Sequence, residues 1–495
     1  MAFCLESQHK ITLFSHNRSM REQTNYEKIK KALSSPADLT KRTVLFCRQK
    51  VDVVFINELT DPEKIEDTIL RSINEFSQKC SLPLDKFLRE QVLSTQELVD
   101  IEDVKTAVEK ILKGYAIVCI GDKMMGVDCE LITGRAVVEP PTSAVVKGPR
   151  EGFVESAKVN LALIRKRLAT PDLCIDNQTV GKYTQTDVYI MYINNIADKK
   201  VVKEITEKIK KIQIDGILDS SYIADFLCTK KGTLFKQVGH TEKPDIVTAK
   251  LLEGRVAIIV DGSPFVLTLP YILFEDLQNS QDYYESHVHS NFLRALRIGG
   301  VILAFLLPGM YLALQLYHYK IFPIDFLVSI LNSTQGIPFS PFVEILFIIL
   351  LFEILYDASL RMPRHLGMAL SIVGALILGD TAVQAGLVSP PAVMLVALSG
   401  LTFYIVPGQS EQLSELRLIF VFAGAVLGLY GIMLASMVMI SHLSDFDAYG
   451  ASYLAPIAPY HSADMQDWVY RKEIRDMRTR PFSILPKTKN RVRLK

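Results

Sequence analysis

The sequence predicts an α/β cytoplasmic N-terminal domain of two subdomains, followed by an α-helical polytopic membrane domain. Three observations carry this reading. Charged residues are dense from Met1 to about Ser290, nearly vanish from Ile298 to about Ile440, and return after Asp464 with Lys and Arg predominant. In the polar half, β-branched apolar runs alternate with segments of helical period. In the apolar half, several uncharged stretches approach or exceed the roughly 20 residues a helix needs to cross a hydrocarbon core of about 30 Å. A mean hydropathy of +0.21 beside 22% charged residues is what two such unlike halves produce when joined.

The first subdomain is expected over residues 1–145. "KIKKALSSPADLTKR" reads as a helix stopped by a Ser-Ser-Pro turn. "RTVLFC" and "KVDVVFINELT" are β-branched runs and read as strands. "DPEKIEDTILRSINEF" has the helical period, with Asp61 placed to cap a helix whose first residue is Pro62. "YAIVCIGDKMMGVDCELI" reads as two strands about a Gly-Asp turn.

The second subdomain, 146–290, opens on "VVKGPREGFVESAKVNLALIRKRL". This stretch has neither the GxxxxGK[ST] spacing of a phosphate loop nor GxGxxG, and Pro149 removes a backbone donor where a phosphate nest needs several in succession. Phe153, Ala157, Leu161, Ile164 and Leu168 recur at helical spacing and predict one buried face. The charges around it are available to a neighbouring subdomain or subunit. Gly148, Pro149, Arg150, Glu151, Asn160, Arg165 and Arg167 are therefore candidate interface residues, with Gly148-Pro149 setting a rigid turn. Further on, "VYIMYINNIA" reads as a strand, "KKVVKEITEKIKKI" as an amphipathic helix, "SYIADFL" as a helix, and "RVAIIVDGSPFVLTLP" as a hairpin turning at Asp261-Gly262. No tandem repeat stands out. "TEKPD" lacks the nucleophile, base and orienting group that catalysis needs. It reads as a turn fixed by Pro244, with Glu242 and Asp245 pairing across the subdomain contact.

The membrane domain, 291–445, holds apolar segments near 298–317, 342–356, 366–386, 388–407 and 416–441. Arg294 and Arg297 before the first segment, Arg361 and Arg364 after the second, and the basic tail at 446–495 all belong on the cytoplasmic side by the positive-inside rule. Both termini on one side require an even number of crossings. The domain is thus expected to have four to six helical segments, with some re-entrant or the last one broken in two. Glu344, Glu353 and Asp380 lie in apolar segments, where an ionised side chain costs on the order of 2.5–3.5 kcal/mol. They are candidate acids of a water-lined path, or else acids at the membrane interface or paired with Arg361 or Arg364. Glu344 and Glu353 point to opposite sides of an ideal helix. Asp357 sits at a boundary beside Arg361 and Arg364 and reads as their ion-pair partner. Gly424 and Gly428, in "GAVLG", and the small pair Ala375 and Gly379 are candidate helix-packing positions.

Composition narrows the function classes. A net charge of +1 and a pI of about 7.6 give no reason to expect a nucleic-acid partner. Cys4, Cys47, Cys80, Cys119, Cys129, Cys174 and Cys228 are odd in number, form no CxxC and lie in the polar half. With no secretory leader pattern, they are expected as free thiols in a reducing compartment. "HVH" at 287–289 reads as a solvated linker pair. No catalytic residue, cofactor or metal site is expected.

Several long blocks resemble one family. They are "VKGPREGFVESAKVNLALIRKRL", "IDGILDSSYIADFL", "TEKPDIVTAKLLEGRVAIIVDGSPFVLTLP", "DYYES" with "NFLRALR", "PFSPFVEILFIILLFEILYDASLRMPRHLG" and "SIVGALILGDTAVQAGLVSPPAV". Their order and length are similar to the A subunits of spore germination receptors, the GerA family, from about Asp38 to the basic tail. Lys243 stands where the family often has Arg, a Phe-Pro pair is missing near "LFKQVGH", and Asp380 stands in place of Gln. The resemblance implies a receptor subunit of the spore inner membrane rather than an enzyme, with both termini on the core side. It implies a transporter-like B subunit that binds the nutrient, a lipoprotein C subunit, and a homo-oligomeric ring of A subunits, expected to be pentameric, that conducts ions. The residues by themselves leave two alternatives open: a secondary transporter of a small solute or ion, and a non-conducting assembly scaffold.

Overall fold

The computed structural model describes residues 24–34, 36–46, 49–75, 98–131, 147–360, 379–403 and 405–491. The chain divides into two compact units. One holds the α/β layers; the other holds residues 147–149, 227–239 and the described residues from Leu269 onward.

In the first subdomain, helix α1 (Asn25–Ala32) leads into strands β1 (Leu39–Phe46) and β2 (Gln49–Ile56). A helical stretch at 62–75 (α2) follows, and Asp61 caps it by accepting a hydrogen bond from the Glu63 amide at 3.0 Å. Then come β3 (Leu98–Ile101), α3 (Val104–Ile111), β4 (Tyr115–Ile120) and β5 (Lys123–Asp128), in an antiparallel sheet ordered β1-β2-β4-β5-β3. Successive residues of β2 serve opposite cores. Val53 and Phe55 pack with Ile65, Ile69 and Ile73 of α2. Val54 and Ile56 pack with Ile29 of α1 and Val108 and Ile111 of α3. Helices cover both faces, which is why these strands read as unbroken apolar runs.

The second subdomain repeats this plan. Helix α4 (Ala157–Arg167), β6 (Leu173–Val180), β7 (Thr186–Ile193), α5 (Lys199–Lys210), α6 (Ser220–Leu227), β8 (Gly239–Thr241), α7 (Pro244–Glu253), β9 (Val256–Val260) and β10 (Val266–Leu269) form a sheet ordered β6-β7-β9-β10-β8. Strand for strand this is the order of the first sheet. Helices α4 and α7 share one core, through Leu161, Ile164, Val247 and Leu251, as α1 and α3 do in the first subdomain.

Two expectations are corrected here. The helix of the "KGPREG" block begins at Ala157, so Phe153 lies before it; the Phe153 amide instead donates to the Glu242 carbonyl at 2.7 Å. Pro244 does not close a turn. It is the first residue of α7, where its missing N–H costs nothing.

In the other unit, α8 (His287–Tyr317), α9 (Ile324–Thr334), α10 (Pro341–Leu360), α11 (Pro390–Phe403) and α12 (Ser410–Ser444) form the C-terminal helical domain. Among the described residues, α8 and α12 are long and apolar enough to cross a membrane. "HVH" is not a linker: it starts α8, with His289 Nε2 3.3 Å from Glu285. The tail beyond α12 is folded over 446–491 rather than trailing free. It contains a short β pair, Asp447–Ala448 with Ala451–Ser452, and several single turns.

Candidate functional site

The polar groups within and beside the apolar helices, together with the subdomain contact, hold the candidate residues. Helix α8 contains Pro308, which cannot donate to the Ala304 carbonyl one turn back. Ser399 of α11 supplies that hydrogen bond, its hydroxyl donating to Ala304 O at 2.6 Å. The next residue, Gly309, meets Gly424 of α12. A Cβ on Gly424 would stand 2.3 Å from Gly309 O, and one on Gly309 would stand 2.4 Å from Phe420 O. The two long helices therefore touch backbone to backbone, a contact only glycine allows. Gly428 has φ of 63° and breaks the helical conformation of α12. The Tyr317 hydroxyl donates to the carbonyls of Ala425 and Val426 at 2.9 and 3.0 Å, beside this break. Gly379 is described, but its nearest contact is an ordinary one with Val393, and Ala375 lies outside the described residues.

The three acids fall into different environments. Glu344 is 2% exposed, and its Oε1 accepts from the Ser389 amide at 2.5 Å and the Ser389 hydroxyl at 2.6 Å. Ser389 directly precedes α11, so the carboxylate sits at a helix N-terminus, where the dipole favours an anion. The Glu344 carboxylate is thus enclosed and held by two donors of Ser389.

Glu353 pairs with Arg417 of α12 at 2.5 Å and accepts a hydrogen bond from Ser414. The Arg417 side chain is 2% exposed, whereas that of Glu353 is 31% exposed. The Arg417 guanidinium lies 4.6 Å over the Phe403 ring, and its Nε and Nη1 have no hydrogen-bond partner among the described residues. Asp380 is exposed and accepts from Gln384 at 2.8 Å. Asp357 is exposed too, and Arg361 and Arg364 lie outside the described residues.

At the foot of α8, Asp282 is 1% exposed and receives Arg294 Nε at 2.9 Å and Arg297 Nη2 at 2.6 Å. Arg294 Nη1 also reaches Asp467 of the tail at 2.8 Å, and Tyr283 donates to the same carboxylate at 2.7 Å. Burial pushes the Asp282 carboxyl up. The hydrogen bonds and charge of Arg297, with Asn279 and Arg294, outweigh it and hold the group below the usual carboxylate range. The arginines expected to mark a membrane boundary are thus fastened to acids, and one of those acids belongs to the tail.

At the subdomain contact, Arg165 is fully buried and forks onto Asp38 through Nε at 2.9 Å and Nη2 at 3.1 Å. Seven of the eleven positions of α4 are buried, Arg165 among them. The Arg165 Nη1 and the Glu58 Oε2 are buried without hydrogen-bond partners among the described residues. Burial, reinforced by Asp38, pushes the Glu58 carboxyl up to about 7. Asn160 bonds both backbone groups of Val154, at 2.9 and 2.6 Å, and so fixes the entry to α4. Arg167 holds Glu151 at 2.6 Å in a partly exposed pair. Arg150 is exposed and Pro149 half-buried. Gly148, at φ of 123°, would place a Cβ 2.6 Å from the Tyr284 ring. Glu242 is buried, its carbonyl joined to Phe153, and Asp245 accepts from the neighbouring Ile246 amide at 3.0 Å.

Sequence reasoning missed Asp38, Asp282, Gly309, Ser389, Arg417 and Asp467. One signal was available for Arg417: an acid in one apolar segment calls for a cation in another.

The family described as Bacillus/Clostridium GerA spore germination protein matches residues 27–483. Spore germination protein KA of Bacillus subtilis is 34% identical over 457 residues, 90% of this chain and 84% of that protein. Spore germination protein A1 of the same organism is 34% identical over 427 residues, 86% of this chain and 88% of that protein. The crystal structure of the N-terminal domain of the A subunit of the Bacillus megaterium spore germinant receptor GerK3 aligns at 29% identity with a TM-score of 0.41, covering 50% of this chain and 94% of that one. With the family matched from residue 27 to residue 483 and relatives 34% identical across most of both chains, the chain belongs to the GerA family of spore germination proteins.

Proposed function

We propose that the chain is the A subunit of a nutrient-responsive germination receptor, and that copies of it assemble in the spore inner membrane around a path for ions. A transporter-like B subunit and a lipoprotein C subunit complete the receptor, and both termini of this chain face the spore core. The observation that supports conduction is the open side of Glu353. Its neighbours on α10, Leu350 and Ile354, are 53% and 64% exposed, so an acid stands on an otherwise apolar outer face. Repeated around a symmetry axis, such a face becomes a ring of carboxylates, which favours cations. Asp380 offers a second exposed carboxylate for the same path.

Flux from proteoliposomes containing the purified full chain tests this. Unsaturable cation flux supports the proposal, and Glu353→Gln and Asp380→Asn should each lower the preference for cations over anions. Saturable, substrate-coupled uptake would make the chain a transporter, and no flux would make it a scaffold. Unchanged selectivity in both variants would remove these acids from the path.

A further inference from the structure

The folded end of the chain carries a concentrated charge that none of the contacts described above uses. Between Arg471 and Arg491 there are eight Lys or Arg residues and two acids, in a chain whose net charge is +1. One of the acids, Glu473, already faces His287 at 3.7 Å. Backbone pairing gathers the cations. Arg480 N donates to Lys489 O at 2.7 Å and Arg491 N to Arg478 O at 2.8 Å, closing a loop that brings its basic residues onto one small ribbon. The side chains of Lys472, Arg475, Arg478 and Lys487 are exposed and form no ion pair among the described residues. Like charge crowds the ribbon: burial, with Arg491 close by, holds the Arg480 guanidinium below its ordinary range. Apolar side chains stand among these cations, with Ile474 64% exposed and Tyr470 57% exposed.

The tail is also held at a definite level. Asp467 grips Arg294 at 2.8 Å. The apolar run of α8 begins at Ile298, one helical turn or about 6 Å further along the axis. Asp464, three residues before Asp467, accepts from the Phe482 and Ser483 amides at 2.5 and 2.8 Å, which ties the ribbon to the same place. A basic surface with exposed aromatic and aliphatic side chains, anchored where a candidate span enters the hydrocarbon, has the chemistry of an interfacial anchor.

We infer that residues 470–491 form a docking surface for the anionic phospholipid headgroups of the membrane this chain spans, with Lys472, Arg475, Arg478 and Lys487 as the contacting cations. The inference needs the membrane placement of the helices and is independent of ion conduction. Its test uses the full chain in nanodiscs of phosphatidylcholine alone or mixed with phosphatidylglycerol. Tryptic cleavage after Lys487 and Lys489 is followed by mass spectrometry, with the exposed Lys203 site as internal standard. At low salt, cleavage should be slower in the anionic discs by about fivefold or more, and the difference should vanish at high salt. It should also vanish in the triple variant Lys472→Glu, Arg475→Glu, Arg478→Glu, which alters exposed positions only and leaves both cleavage sites intact. Equal rates in the two discs at low salt, or protection that survives the triple reversal, would overturn the inference. So would equal protection by inorganic phosphate in neutral discs, which would replace the lipid with a soluble anion.

Discussion

Arg165→Met tests whether the two α/β subdomains are held together by a buried charge pair. The substitution keeps most of the apolar volume and removes the guanidinium. It strands the Asp38 carboxylate, whose side chain is 2% exposed, with its bidentate partner gone. Breaking one side of such a pair costs about 3–5 kcal/mol, most of it the desolvation of the charge left behind. With a urea dependence of about 2 kcal/mol/M for a domain of this size, the midpoint should fall by about 1.5–2.5 M. Cys174 reports it directly. The residue is 6% exposed, and burial raises the pKa of its thiol, so it reacts chiefly when the second subdomain opens. Pulsed thiol labelling of the full chain across a urea series, read by peptide mass spectrometry, gives the midpoint. The double variant Arg165→Met/Asp38→Leu should be more stable than either single one, because replacing both charges with apolar groups is close to neutral. A midpoint for Arg165→Met within about 0.5 M of the parent, or a double variant no better than the singles, would refute the reasoning.

Three further outcomes are expected. Glu58 keeps its proton to about pH 7 in the folded chain and releases it near 4.5 when unfolded, so its contribution is fully present below 4.5 and is lost as pH rises through 7. Glu58→Gln should therefore raise the urea midpoint at pH 8 and leave it nearly unchanged at pH 4; equal effects at both pH values would exclude the group. Gly424→Ala drives a methyl into the Gly309 carbonyl and should lower the thermal midpoint in detergent by an amount equivalent to about 1–3 kcal/mol, with an unchanged midpoint ruling out the close crossing. Asp282→Asn removes the shared acceptor of Arg294 and Arg297 and should expose the α8 foot to faster hydrogen exchange over 280–297; unaltered exchange there would mean that the clamp adds no rigidity.

The α/β half was largely legible because its signals are local. Asp61-Pro62 opens a helix where it should, and the apolar runs of β2, β4, β7 and β9 are strands. What stayed hidden depends on contacts distant in sequence. The start of α4 is set by Asn160 clasping Val154 and by Asp261, which accepts from the Ala157 amide at 3.0 Å from 104 positions away. Periodicity alone extended the helix back to Phe153. The repeated topology of the two sheets leaves no repeat in the sequence, since each sheet needs only apolar residues of suitable size on both faces, and many sequences provide that.

The polar residues of the apolar half show the same limit more sharply. Glu344, Glu353 and Asp380 look alike to hydropathy, which records what it costs to place a carboxylate at depth but not what offsets the cost. The structure separates them by partner. Glu344 has a helix N-terminus and two donors from Ser389, an arrangement that satisfies the charge without water. Among the described residues, Glu353 has one cation, yet keeps an open face and leaves part of that cation unbonded. Among the described residues, Asp380 has a neighbouring amide side chain as its hydrogen-bond partner and is otherwise exposed. An acid fully served inside its own chain gains nothing from a water-filled path, whereas one served in part does. By that criterion Glu353 and Arg417, which approach each other from α10 and α12, are the pair whose separation would change the charge presented to the outside of this bundle.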